Sequence, residues 1–271
     1  MSTTLVESAA GLAPDQRDAI RDVILVLADS KRLLGFRYAS WILGAPELEA
    51  GIAFASMAQD EWGHARLLYA LLKDFDEDVQ HLEHGREPGE YRNLEVLDRE
   101  PDSWPAVVVL NALADQALSV QLEAFRGSAY LPVRQRVEKL LAEEQFHIAH
   151  GAAWLRRLAR GAPAAREETA AAVRAALPTL LRWFGPENGR ARALVQAGIA
   201  DAAGDELRGR YLAAVGPLLE EVGLPAAGAP YPVVLDFDGF DEASRRVSAA
   251  GPDPETVTRI RGDKNRPFLM D

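Results

Sequence analysis

The chain contains no cysteine. Disulfides, thiolate zinc sites, iron–sulfur clusters and cysteine nucleophiles are therefore excluded. Histidine is scarce, with 5 in 271 residues, so a metal site would have to draw mainly on carboxylates. Basic residues are outnumbered: 30 Lys and Arg stand against 41 Asp and Glu, a formal net charge of −11. A nucleic-acid binder normally presents a basic face, so no nucleic-acid partner is expected. Long apolar runs are also missing. Val23–Ala28 and Ala106–Leu110 fall far short of the ~20 residues that cross a bilayer. Met1–Asp18 has neither the basic start nor the apolar stretch of a signal peptide. No membrane partner is expected, and a cytoplasmic location is the default. No flavin, nicotinamide or iron–sulfur binding motif is present either.

What is present is helical periodicity, through about the first 225 residues. Pro14 and Asp15 open a segment running to about Leu43, with Ile20, Ile24, Leu27, Lys31, Leu34, Tyr38 and Trp41 on one stripe. Gly44-Ala45-Pro46 ends it, because proline cannot continue a helix and disfavours helical backbone just before it. A second helix is predicted from about Pro46 to Phe75, with Ile52, Phe54, Ala58, Glu61, Ala65, Leu68 and Leu72 inward. Asp76–Asp102 reads as a polar connection with short helical turns, and its His81 and His84 as solvated. A third helix is expected over Pro105–Gly127 and a fourth over Pro132–Arg160, with two or three more between Ala165 and Val222. The fold class expected is all-α: a four-helix bundle with added C-terminal helices over 1–225, and an extended arm over 226–271 that packs on the bundle or on a partner.

Within the arm, Val233–Gly239 resembles the nucleophile motif of haloacid-dehalogenase-type phosphatases. Too few residues follow it to build the doubly wound sheet that motif needs. A turn-rich surface segment whose carboxylates cap turns is the better reading.

The chemistry lies in a repeat. Glu61-Trp62-Gly63-His64 and Glu144-Gln145-Phe146-His147 occupy equivalent second helices of two hairpins. Residues i and i+3 share a helix face, so each Glu–His pair can grip one ion. Two such helices, with a carboxylate from each of two others, make the carboxylate-bridged di-iron or di-manganese site of ferritin-like bundles. Buried Glu and His without such a partner would be costly. On the third helix Asp115 is placed to ligate, near Ala112, Ser119 and Gln121 or Leu122. On the first helix the matching position holds Lys31, with Asp29 and Arg32 less well directed. Asp60 and Glu143 are placed to accept the outer N–H of the histidine on the opposite helix, as carboxylates commonly do for metal-bound histidines. Gly63 is expected to admit a neighbouring helix. His150 reads as a surface or interface histidine rather than a ligand. Trp41, Trp62, Phe125, Phe146 and Trp154 lie near the stripe and read as core packing.

Two stretches carry a family resemblance. Ala58-Gln-Asp-Glu-Trp-Gly-His-Ala-Arg-Leu-Leu and Ala142-Glu-Glu-Gln-Phe-His-Ile-Ala-His-Gly look like the phenylacetate-degradation oxygenase family. That family holds the catalytic and structural subunits of the phenylacetyl-CoA ring epoxidase. The resemblance runs from roughly Asp29 to Arg160. It implies a ferritin-like fold and a link to oxygenation of aromatic acyl-CoA thioesters. Catalytic subunits of the family carry Asp-Glu-x-Gly-His and Glu-Glu-x-x-His, as here at Asp60–His64 and Glu143–His147, whereas structural subunits have lost most of these ligands. The departure is the helix-one glutamate, where Lys31, or Arg32 given a one-residue ambiguity, stands instead.

That departure leaves three states open. Glu61, Asp115 and Glu144 with one ammonium carry two net negative charges, which one divalent ion neutralises and two overcompensate at a cost of several kcal/mol per charge. A mononuclear site on Asp115, Glu144 and His147 is one state. A carbamylated Lys31 restoring two metals is another. A metal-free ion-pair network is the third. The leading expectation is a non-haem iron (or manganese) monooxygenase, with Glu61, His64, Asp115, Glu144 and His147 as ligands. Lys31, Glu61 and Glu144 would act in catalysis, and one oxygen atom would pass into an aromatic or acyl-CoA substrate. A separate reductase would supply electrons, and the chain would form a homo- or hetero-oligomer with a homologous subunit. The alternatives are a non-catalytic scaffold subunit and, more weakly, a metal store.

Overall fold

The computed structural model describes residues 5–187, 189–224, 235–263 and 265–268. Within them the chain is all-α, with no strand beyond two isolated bridges, Val6 with Tyr130 and Asp241 with Arg246. Helix α1 spans Pro14–Ser40 and α2 spans Leu48–Leu72. The short helix α3 covers Val79–His84. Helix α4 runs Trp104–Glu123 and is interrupted by a π-helical turn at Leu110–Ala114. Helix α5 spans Leu131–Ala159, α6 Pro163–Trp183, α7 Gly189–Gln196, α8 Gly204–Glu221 and α9 Pro254–Arg261.

Local chemistry places the boundaries. Proline stands in the first turn of α1, α4, α5, α6 and α9, where its missing N–H costs nothing. The Ser103 hydroxyl caps α4 by accepting from Ala106 N at 3.3 Å, and Asp253 caps α9 from Thr256 N at 2.8 Å. Helix α2 tightens into a 3₁₀ turn at Lys73–Phe75 and stops at Asp76, whose φ is 64°. The expected helix ends are thus displaced by a few residues, chiefly where α1 stops at Ser40 rather than near Leu43.

Helices α1 and α2 form one hairpin, α4 and α5 the other, and the two pack into a four-helix bundle. The α1 stripe Ile20, Ile24, Leu27, Lys31, Leu34 and Tyr38 is wholly buried. Helix α1 also buries Val23, Leu25, Val26 and Leu33, because α7 and the 92–98 segment cover what would otherwise be its outer side. Helix α4 is long and apolar enough to cross a membrane, yet nearly all of it is buried inside the protein. It is the core helix of the bundle.

Three expectations are corrected. Ile52 is 61% exposed and Phe146 77% exposed, so neither lies on an inner stripe. Phe146 sits one residue, about 100°, from His147, and Ile52 lies on the side of α2 opposite Glu61, so being apolar did not place either residue on the inner face. Gly63 is exposed and a Cβ there would meet nothing within 4 Å. The glycine that does admit a helix is Gly151, where a Cβ would lie 2.8 Å from the backbone of Ala112.

Beyond the bundle, Arg246 is buried and bonds Asp98 Oδ2 at 2.5 Å and the Asn93 carbonyl at 2.7 Å. Arg37 on α1 donates to Thr256 at the start of α9 at 2.9 Å. The tail is thus not extended throughout: Pro254–Arg261 is helical, ending at Gly262 with φ 69°. Of the motif at Val233–Gly239, residues up to 234 lie outside the described residues. In the remainder, the Asp236 carboxylate accepts from Asp238 N at 2.8 Å, a turn-forming contact.

Candidate functional site

The centre of the bundle holds a wholly buried polar cluster. Lys31 from α1, Glu61 and His64 from α2, Asp115 from α4, and Glu144 and His147 from α5 are each at most 1% exposed. Burying so many ionisable groups is tolerable only if they satisfy one another. The Lys31 ammonium donates to Glu144 Oε1 at 2.6 Å, Glu61 Oε1 at 2.9 Å and Asp115 Oδ1 at 3.2 Å. All three of its protons are therefore placed on carboxylates from three different helices.

The histidines extend the cluster across the α2–α5 seam. His147 Nδ1 lies 3.1 Å from Glu61 Oε1 and 3.6 Å from Asp115 Oδ2, and its Nε2 lies 3.4 Å from Asp60 Oδ2. His64 Nε2 lies 2.7 Å from Glu143 Oε2. Its Nδ1 is 2.9 Å from Glu144 Oε1 but off the line of a good hydrogen bond. Each histidine thus reaches the acid that precedes the glutamate of the opposite helix. The two rings stack with centroids 6.3 Å apart.

Two further groups belong to the cluster and were not singled out from the sequence as site residues. Tyr38 OH donates to Asp115 Oδ2 at 2.5 Å. Asn111 Nδ2 reaches Asp115 Oδ2 at 3.1 Å and the His147 carbonyl at 3.0 Å. Tyr38 lies on the Lys31 stripe two turns on, and Asn111 lies about one turn before Asp115, so helical spacing was a usable signal for both. The π turn at Leu110–Ala114 left no trace in the pattern. His150 bonds Asn111 Oδ1 at 2.9 Å and packs on Phe54 at 5.4 Å. It is half-buried against the bundle rather than on its surface. Arg32 faces away from the cluster and donates to the Ile260 carbonyl at 3.1 Å, which leaves Lys31 as the cation inside. Asp29 is likewise elsewhere, ion-paired with Arg86 and accepting from Tyr69 OH at 2.5 Å. His81 and His84 lie in α3, where His81 N is capped by Asp78 at 3.0 Å.

The electrostatics follow from burial and partners. Burial opposes the charge on Lys31, but Glu144, Glu61 and Asp115 outweigh it and push its pKa upward. Burial likewise opposes a charged His147, yet its bonds to Asp115 and Glu61 raise it to about 11. Burial lifts Glu61 to about 7 against the pull of Lys31. Asp115 resists its burial because Lys31, His147 and Tyr38 all favour the carboxylate, and it stays far below the usual range. Burial also opposes the charge on His64, and Glu144 outweighs it and raises the pKa. At neutral pH the cluster therefore sets Lys31 and an imidazolium at His147 against its acids, with His64 available to close the balance.

Metal can be tested against this geometry. One ligand atom each from Glu61, Asp115, Glu144 and His147 lie within 4.8 Å of one another, a donor set suited to iron or manganese. Glu61 Oε2 is buried without a hydrogen-bond partner. Yet Lys31 Nζ stands among these donors at 2.6–3.2 Å from three of them. An ion bound to the same oxygens at about 2.0–2.2 Å would meet the ammonium. Two ions do not fit. One fits only if the Lys31 side chain withdraws. Cavities of about 860, 630, 370 and 30 Å³ open on the surface, and none is lined by a residue of the cluster.

An all-α bundle with paired Glu-x-x-His helices around a buried carboxylate cluster defines the ferritin-like carboxylate proteins. Within that class the chain belongs to the phenylacetic acid catabolic protein family, whose family model matches residues 1–231. It is 28% identical over 144 residues to a subunit of the 1,2-phenylacetyl-CoA epoxidase of Escherichia coli (strain K12), a match covering 51% of this chain and 56% of that protein. The chain thus matches about half the length of that relative.

Proposed function

We propose that this chain is a helical subunit of an oxygenase system for aromatic acyl-CoA thioesters, and that its own centre is held by Lys31 instead of metal. The observation that carries this reading is the Lys31 ammonium, bonded to three carboxylates from three helices. With His147 protonated and His64 available to close the balance, the three buried acids need no divalent ion. In this proposal residues 1–225 are the bundle and 226–271 an arm laid along it. Oxygen chemistry takes place on a homologous, ligand-complete partner, supplied by a separate reductase in the cytoplasm.

The test is co-expression with a ligand-complete homologue from the same genome. Co-purification, with iron confined to the homologue, is the expected result. A chain that purifies alone and consumes oxygen with a chemical reductant overturns the proposal.

One observation favours a second reading. The four donors within 4.8 Å of one another and the unpartnered Glu61 Oε2 suit one iron or manganese ion if Lys31 swings aside. Glu61, Asp115, Glu144 and His147 would then hold the ion. An iron-loaded centre would supply oxygen activation. The chain's own residues would hold the ion in a dry core, and Asp60 would accept from His147 Nε2–H and so fix the tautomer that leaves Nδ1 free to ligate.

A further inference from the structure

On the opposite face of the α1–α2 pair lies a groove of about 370 Å³, within the range of small-molecule sites. Its walls combine two kinds of group. Phe36 and Trp62 pack against each other with centroids 5.3 Å apart at 56°, and Tyr69 lies beneath the Arg32 guanidinium at 5.9 Å. The Trp62 indole nitrogen is buried and makes no hydrogen bond. The charged groups are Arg32, Arg66, His84 and Glu83.

The arginines are the informative part. Most arginines of this acid-rich chain are ion-paired, among them Arg17, Arg86, Arg92, Arg210 and Arg259. Arg32 makes no carboxylate contact among the described residues: it touches the Ile260 carbonyl at 3.1 Å and His84 Nδ1 at 3.5 Å. Arg66 is exposed and has no ion pair there. The single acid of the groove, Glu83, is turned to His84 Nε2 at 3.4 Å. Two guanidiniums beside a pair of tilted rings, without carboxylates of their own among the described residues, match an aromatic group that carries a negative charge. The rings take the flat face and the guanidiniums take a carboxylate or phosphate bidentately.

We propose that this groove binds a planar aromatic anion, its ring against Trp62 and Phe36 and its carboxylate or phosphate held by Arg32 and Arg66. This site shares no residue with the Lys31 cluster, and it stands whether or not that cluster binds metal. An aryl carboxylate and the phosphate of an adenine nucleotide present the same chemistry, so both are tested.

The experiment is calorimetric titration of the full chain with phenylacetate and with AMP. Phenylacetamide and adenosine serve as their uncharged counterparts. One of the two anions should bind, and its uncharged counterpart should bind about tenfold more weakly or worse. Arg66→Glu lies on the surface and should leave the melting temperature unchanged while weakening the anion by about tenfold or more. Arg32→Gln, which keeps a donor for the Ile260 carbonyl, should weaken it too. Trp62→Phe should remove the tryptophan fluorescence change on binding. The proposal is overturned if neither anion binds at millimolar concentration. It is equally overturned if the uncharged counterpart binds as well, or if a folded Arg66→Glu variant keeps the affinity.

Discussion

Lys31 is the residue on which the interior depends. Lys31→Met keeps the length and removes the charge, which leaves Glu61, Asp115 and Glu144 buried against one another. Breaking a buried pair in this way costs about 3–5 kcal/mol. Urea denaturation should show that loss at neutral pH and a smaller one in acid, where the carboxylates can protonate. Lys31→Glu has a different expected outcome. Four carboxylates with His64 and His147 form a complete donor set, so this variant should bind iron or manganese and melt higher when the metal is added. The protonation of His147 carries its own signature. Its pKa is raised from 6.5 to about 11, so the folded state binds that proton more tightly than the unfolded one. The resulting stability is complete below pH 6.5 and is lost as pH rises toward about 11. Glu61, raised from 4.5 to about 7, works with the same sign over that lower interval. Unfolding free energy measured in a chelator across that range should therefore fall with pH, and His147→Gln should flatten the alkaline part. The members of this cluster were legible in the sequence because i, i+3 spacing on paired helices is a strong constraint. Tyr38 and Asn111 were less so, because a tyrosine in an apolar stripe and an asparagine in an apolar helix look like ordinary packing until their partner is known.

At the scale of the helix, close approach is set by one glycine that spacing did not single out. A Cβ at Gly151 would lie 2.8 Å from the Ala112 backbone, beside the π turn at Leu110–Ala114. Gly151→Val should cost about 1–3 kcal/mol through overpacking. Gly63→Ala meets nothing within 4 Å and should stabilise by about 0.5–1 kcal/mol through helix propensity. Thermal unfolding of the pair checks both, and equal effects would contradict the packing. The four bundle helices were readable within a few residues at each end because their apolar stripes are long. The π turn was not, since α4 is apolar on nearly every side and one extra residue leaves no break in such a pattern. Ile52 and Phe146 misled for a related reason: apolar residues on an outer face carry no mark that separates them from core.

At the scale of the molecule, the tail is held to the bundle by buried arginine. Arg246 reaches Asp98 Oδ2 at 2.5 Å and the Asn93 carbonyl at 2.7 Å. Arg246→Ala leaves Asp98 without that partner and should cost about 3–5 kcal/mol. It should also open the 235–263 segment to limited proteolysis while the bundle stays resistant. The tail's glycine and proline content suggested an extended arm, but Asp253-Pro254 and Gly262 are start and stop signals that the overall composition obscured. They bracket α9 as Asp cap, first-turn proline and terminal glycine.

If an ammonium takes the place of metal in this bundle, the most direct measurement is elemental analysis of the wild-type chain, expressed with iron and manganese in excess and purified without chelator. No stoichiometric metal is expected in the wild type, and bound metal is expected in Lys31→Glu. One or two ions per wild-type chain, lost when Glu144 or His147 is replaced, would contradict the proposed role of Lys31.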